Sequence, residues 1–257
     1  AFYHFMPTKQ SAVEAEGGET GLWAKNPDLV VCNGPFILTS YSSGNGLTLE
    51  KNENYWNAGE VYLSQINGKF IEIASTAYVG YNSGDLDVLP SVPTAMTADL
   101  IALDPNFHVF ALPGTYYYMF NLDPTSTNYD PIFANLKLRT ALTYAINRTA
   151  ITETLAAGQI PATAFVPPGF LDADGNDFKA TAGDYGIATA DENFTQAVAL
   201  FADAAEELDM TVTELQDALS EKTLLYNTSE GHALVAQMVV ESWNTVLGFS
   251  MQLNNEE

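Results

Sequence analysis

Side chains able to make or break bonds are few in this sequence and poorly spaced for it. Three histidines, His4, His108 and His232, lie far apart, and none stands in an HxxxH or HxxE spacing that would turn two ligands to one side of a helix. Surface or capping roles are expected for them. The one cysteine, Cys32, has no base near it in sequence, which predicts a buried, inert thiol and leaves no internal disulfide or cysteine metal cluster. Asp85 and Asp87, two apart on an expected strand, would point to one side as paired catalytic carboxylates must, yet a polar pair at a strand end has the same spacing. Asp172-Ala-Asp174-Gly175-Asn176-Asp177 has the composition of a calcium loop. Its glycine comes fourth where such a loop needs it sixth, and Gly183 stands where a bidentate Glu is required, so a solvated acidic turn is expected. No G-x-S-x-G elbow, phosphate loop or G-x-G-x-x-G is present. The sequence offers aromatic rings instead: Tyr116-Tyr117-Tyr118, Tyr78, Tyr81 and Tyr55-Trp56. Such rings give rigid contact area with a polar tip, suited to ligand binding, although core packing uses the same rings.

The elements that must position these groups follow from the patterning. Residues 34–73 read as three strands, GPFILTSY, LTLEKN and GKFIEI, separated by Ser-Gly-Asn-Gly at 43–46 and by further Asn and Gly. A short helix over 74–84 ends at Gly84, and a second strand pair, 107–112 and 115–121, is joined by Pro113-Gly114. After Pro131 the texture turns helical. Leu138, Ala141, Leu142, Ala145 and Ile146 form an amphipathic stripe, and Asn147 caps a further helix closed by Gly158. Phe194, Val198, Phe201, Ala205 and Leu208 mark another helix, and Thr211-Val-Thr-Glu214 fits a capping box. A strand at 223–226, a long helix capped by Ser229 and stopped by Gly248, and a strand at 249–253 close the chain as a β-α-β unit with parallel strands. The mix is α/β or α+β in two lobes, with a border near residues 130–150.

Thirty-two acidic against nine basic residues give a formal net charge of −23, which disfavours nucleic-acid binding. After Arg148 only Lys179 and Lys222 carry positive side chains. With 47% hydrophobic residues the chain can fill a core, and no window reads as a membrane span. The first ten residues show no basic leader and no cleavage site, so the chain is expected either to have lost one or to begin inside a longer protein.

Several segments, in order, resemble the bacterial family 5 solute-binding proteins, the peptide-, dipeptide- and nickel-binding receptors of ABC importers. Asn33-Gly34-Pro35-Phe36 followed by Leu49-Glu50-Lys51-Asn52-Glu53-Asn54-Tyr55-Trp56 is similar to the NGPY…LxxNxxYW signature. Tyr81-Asn82-Ser83-Gly84-Asp85-Leu86-Asp87, Pro113-Gly114-Thr115-Tyr116-Tyr117 through Asn121, and Leu138-Arg139-Thr140-Ala141-Leu142 through Arg148 continue the series. Phe165-Val166-Pro167-Pro168-Gly169 and Leu224-Leu225-Tyr226-Asn227 through His232 complete it. The resemblance covers the whole chain and lies nearest the oligopeptide branch.

The resemblance implies a periplasmic-binding-protein-like, type II venus-flytrap fold whose two lobes close on a ligand. It implies an incomplete copy, because family members are about twice this length and carry a further acidic anchor for the peptide beyond the matched region. Residues 1–135 would be the later part of lobe I, and 136–257 the helical hinge region and first half of lobe II. The chain would be an internal fragment of a monomeric receptor, not an enzyme, without cofactor, metal or nucleic-acid partner. Its parent would capture oligopeptides in the periplasm or at the cell surface, as a lipoprotein in a Gram-positive host, for a membrane permease. A fragment of this kind is expected to bind peptide weakly if at all. A receptor for dipeptide, nickel, haem or sugar, or an acidic secreted hydrolase, are the alternatives. Tyr55-Trp56 is expected to pack behind the sheet. Along 115–121, Tyr116, Tyr118 and Phe120 share one strand face, assigned to the core. Thr115, Tyr117, Met119 and Asn121 share the other, which ends in an amide that both donates and accepts, and Tyr117, Met119 and Asn121 are the candidate ligand contacts.

Overall fold

The computed structural model describes residues 8–15, 21–110 and 112–256. His4 lies outside them. The chain divides into two compact units, Ala1–Ser91 and Val92–Glu257.

In the first unit, a short helix α1 (Gln10–Ala15) precedes an antiparallel meander of β1 (Phe36–Ser42), β2 (Gly46–Lys51) and β3 (Gln65–Lys69). The β1–β2 turn closes with Asn45 N–H donating to Ser42 O at 3.1 Å, and Gly44 supplies the left-handed backbone at φ 75° that a side chain would disfavour. The register shifts between Leu38 and Ser40, a bulge that bends β1. The third strand lies earlier than the apolar run 68–73. β2 begins at Gly46, which pairs with Lys69, so the ladder ends there, and Phe70, Ile71 and Ile73 are exposed beyond it. Asn52, 7% exposed, clamps the sheet to the turn before it. Its Nδ2 donates to Gly34 O at 2.9 Å, its N–H donates to Pro35 O at 2.9 Å, and its Oδ1 accepts from Asn54 N–H at 3.0 Å. Helix α2 (Ala74–Asn82) ends as expected near Gly84, where φ is 82°.

Three further expectations fail in this unit. Cys32 is exposed, its Sγ donating to Phe36 O at 3.1 Å. Trp56 does not pack behind the sheet. It is 83% exposed, against the half-buried ring of Tyr55 at 5.7 Å, because successive turns at 52–58 swing it outward. Asp85 and Asp87 lie in no strand. The Asp85 carboxylate accepts from Ser83 Oγ at 2.9 Å and its N–H donates to Gly80 O, both part of the helix C-terminal turn.

The second unit is helical with a small parallel sheet. It contains α3 (Thr97–Leu103), α4 (Leu136–Tyr144), α5 (Arg148–Leu155), α6 (Phe178–Ala182), α7 (Phe194–Glu207), α8 (Val212–Ser220), β4 (Thr223–Tyr226), α9 (Glu230–Leu247) and β5 (Gln252–Asn255). Helices α4 and α7 pack closely because alanines meet between them: Ala141, Ala145, Ala197 and Ala204 are fully buried beside Leu138, Leu142 and Phe201. Leu215 and Leu219 of α8, Val239, Trp243 and Leu247 of α9, then Phe249 and Met251, complete the core. Val198, expected on the buried stripe of α7, is half exposed, since the stripe runs through Ala197 and Ala204 instead. β4 and β5 pair in parallel across α9 as expected. β5 starts later than residue 249 because Phe249 and Met251 turn into the core before the ladder begins at Gln252.

Helix ends account for much of the local order. Asn147 Oδ1 accepts from Ala150 N–H at 2.9 Å at the start of α5. That helix ends at Ala156, left-handed at φ 49°, two residues ahead of Gly158. Gly248, at φ 79°, closes α9 as expected, whereas Ser229 occupies the N-cap position without a side-chain bond. Carbonyls at and just beyond the end of α4 are capped from outside the helix. Trp243 Nε1 donates to Leu142 O at 2.9 Å, and Arg148 Nη1 donates to Thr143 O and Ile146 O, both at 3.2 Å. Burial pushes the Arg148 guanidinium below its ordinary value.

The capping box of α8 is present in both directions. Thr211 N–H donates to Glu214 Oε2 at 2.8 Å, while Glu214 N–H donates to Thr211 Oγ1 at 3.2 Å. These bonds, the backbone one foremost, hold the Glu214 carboxyl below its ordinary value. A depressed carboxyl stabilises the fold above its unfolded value of about 4.3 and loses that contribution as pH falls through the folded value. Glu214→Gln is therefore expected to melt below the wild type at pH 7, with the gap closing as pH falls through the folded value of Glu214. Equal melting temperatures at pH 7 would contradict a charge-assisted cap.

Candidate ligand-binding face

Residues 115–121 form no ladder with the described residues of 107–112, of which Ala111 lies outside, and among the described residues they have no strand partner. Alternation and aromatic content predict an extended segment but cannot supply the neighbour that makes it a sheet. Side-chain alternation nevertheless persists. Tyr118 and Phe120 pack against the core, Phe120 with Phe133 at 5.4 Å, while Tyr117 and Met119 are 48% and 80% exposed. Tyr116 departs from its face. It is 45% exposed and stacks on His232 at 4.3 Å and 19°, with an edge toward Tyr118 at 5.5 Å.

Polar groups around these rings are tied locally. Tyr118 Oη is buried with no hydrogen-bond partner among the described residues. Burial first, then the neighbouring phenols of Tyr116 and Tyr226, push its ionisation far above the ordinary tyrosine value, so it stays a neutral hydroxyl. His232, in the first turn of α9, has its Nδ1 against Asn227 Oδ1, and burial lowers its pKa, favouring the neutral ring that stacks on Tyr116. Asn121 is exposed, but its amide is engaged: Nδ2 donates to Ser126 Oγ at 2.9 Å and Oδ1 accepts from Asp123 N–H at 3.2 Å. Asp123 in turn accepts from Thr125 Oγ1 and N–H at 2.7 and 2.9 Å, and these bonds hold its carboxyl low. Of the three candidate contacts, Tyr117 and Met119 present free surface, and Asn121 fixes the turn that follows them.

Two residues absent from the candidate set join this face. Phe165 meets Tyr117 edge-on at 4.8 Å, and His232 covers Tyr116. Both belong to motif segments quoted above, which was the only signal for either; spacing along the chain carries none. Among the described residues, no group of three or more His, Cys, Asp or Glu side chains could hold a metal ion. In the acidic loop, Asp172 Oδ1 accepts from Asp174 N–H and Asn176 N–H at 2.9 and 2.8 Å, the bonding of a self-contained turn. Among the described residues no helix is long and apolar enough to cross a membrane.

The arrangement is an exposed surface of rings and thioether on a helical scaffold, and comparison with known proteins gives the class of the chain. Residues 1–257 match the model of the bacterial extracellular solute-binding proteins, family 5 Middle, and the chain belongs to this family. It is 32% identical over 266 residues to the oligopeptide-binding protein OppA of Bacillus subtilis, a match covering 100% of this chain and 44% of that protein. The crystal structure of the periplasmic oligopeptide-binding protein OppAIV from Borrelia burgdorferi superposes with a TM-score of 0.76 at 27% identity, over 98% of this chain and 45% of that one. Listeria monocytogenes OppA bound to peptide does so with a TM-score of 0.72 at 26% identity, over 97% and 46%. The fold is thus the periplasmic-binding-protein-like fold of these receptors, and the chain spans less than half the length of the relatives it matches.

Proposed function

We propose that the complete protein carrying this chain captures oligopeptides outside the cytoplasm and hands them to the membrane permease of an ABC importer. It acts by binding and release and turns over no substrate. Residues 1–135 contribute the later part of the first lobe and 136–257 the first half of the second, and in a Gram-positive host a lipid would anchor the protein to the membrane. The match to a family of solute-binding proteins along the whole chain carries this reading, with relatives whose names specify oligopeptides. Tyr117 and Met119 suit the task, because exposed rings and thioethers adapt to varied side chains. Asn121 would position the turn beside them.

The test is calorimetry of the complete protein with defined peptides, together with mass spectrometry of whatever it retains on purification. Retained peptides and saturable binding are expected. Tyr117→Ala and Met119→Ala should weaken that binding at unchanged melting temperature, whereas Tyr118→Ala should lower the melting temperature. A retained metal ion, haem or sugar with no peptide affinity would overturn the reading.

A further inference from the structure

Beside Tyr117 lies a concavity of about 370 Å³ whose lining includes Phe165, Val166, Phe178, Lys179, Ala182 and Tyr185. We propose that it receives one large apolar side chain of the bound peptide and gives an otherwise tolerant site a sequence preference. The proposal rests on the peptide-capture reading above.

Position comes first. Phe165 stands in the wall of the concavity and also meets the ring of Tyr117 edge-on at 4.8 Å and 66°, so the open ring face of 115–121 runs on into it. A peptide lying along Tyr117 has this opening within reach of its side chains.

Chemistry comes second. The one charged residue in the lining is Lys179, and its ammonium is already held. Nζ donates to Gly183 O at 2.8 Å and pairs with Asp184, which also accepts from Thr163 Oγ1 at 2.7 Å. The hydrogen bond from Lys179, then that from Thr163, keep the Asp184 carboxyl low and ionised. An acidic or basic ligand side chain would lose its hydration and find no free counter-charge in the lining. An aromatic or branched aliphatic one would leave water against rings and methyl groups, a favourable transfer. The volume stands at the lower end of the ~300–1,000 Å³ usual for ligand sites, which suits one side chain and not a whole peptide.

Shape comes third. Helix α6 supplies Phe178 and ends at Gly183, with φ 82°. Tyr185 then adopts φ 53°, rare for a residue with a side chain, followed by Gly186 at 74°. This turn holds an exposed tyrosine ring in the lining, where it can close over a guest.

The experiment uses the complete protein and a series of alanine peptides carrying a single Phe at successive positions, read by calorimetry. The expected result is a gain of about tenfold or more in affinity at one position of the Phe. Ala182→Phe, which fills the concavity, should abolish that gain while leaving the all-alanine peptide within about threefold of its wild-type affinity. Tyr185→Ala, at an exposed ring, should reduce the gain without unfolding the protein and carries the test if Ala182→Phe does not fold. Binding without positional preference, or an equal loss for both peptides in well-folded variants, would overturn the proposal while leaving peptide capture intact. Failure of every peptide to bind the wild type would overturn both.

Discussion

Replacing Trp243 with alanine is expected to lower the unfolding free energy of the unit Val92–Glu257 by about 3–5 kcal/mol, a large share of the ~5–15 kcal/mol that holds a typical domain together. Two effects combine. The indole is 3% exposed and stacks at 5.9 Å on Phe249, which stacks at 5.9 Å on Phe201, so truncation leaves a cavity inside an aromatic row. The indole N–H is also the donor to the Leu142 carbonyl at the end of α4, and alanine leaves that buried oxygen without a partner. Trp243→Phe separates the two. It keeps most of the ring packing and should lose only the roughly 1–3 kcal/mol of the stranded carbonyl. Urea unfolding followed by far-ultraviolet circular dichroism measures both variants. A phenylalanine variant as stable as the wild type would show that the bond across the helix end contributes nothing net.

Gly46→Ala is expected to disrupt the meander of the first unit. A Cβ at Gly46 would stand 2.2 Å from the carbonyl oxygen of Gly68 and 3.3 Å from its carbon, both backbone atoms of the paired strand. No rotamer change relieves such a contact. The strands must part or shift register, and overpacking of this kind costs about 1–3 kcal/mol or more. A sheet of three short strands has little reserve against it. Gly59→Ala is the control, because a Cβ there meets nothing within 4 Å and should be neutral or slightly stabilising. Amide exchange of β2 and β3 reads the difference. Protection in Gly46→Ala equal to that in the control would refute the close approach.

What could be read from the sequence divides by the range of the interaction that decides it. Asn147, the Thr211–Glu214 box, Gly84 and Gly248 act within four or five residues of themselves, and each ends or starts its element where the sequence placed it. The parallel pairing of β4 and β5 followed from their separation by one helix. Cys32 and Trp56 failed for the opposite reason: an apolar side chain states a preference for burial, but distant residues decide whether it is covered. The expected hairpin at 107–121 failed similarly, since strand-like alternation is a property of one segment and a ladder needs two. Of the candidate face, alternation separated Tyr117 and Met119 from Tyr118 and Phe120, yet it misplaced Tyr116, whose ring is claimed by His232. Nothing along the chain announced that pairing or the contact of Phe165 with Tyr117.

The bond from Trp243 to Leu142 spans 101 residues, and that separation sets a clock. At about 5–20 residues per second of synthesis, the helix end at Leu142 leaves the ribosome roughly 5–20 s before the indole that will cover it. Helices such as α4 and α7 form within microseconds, so they can meet long before α9 exists. For roughly 2–7 s between the end of α7 and Trp243, α4 and α7 stand without that cover, and Phe201 has no Phe249 to stack on. The core shared by α4 and α7 is thus closed only once α9 and Phe249 have followed them.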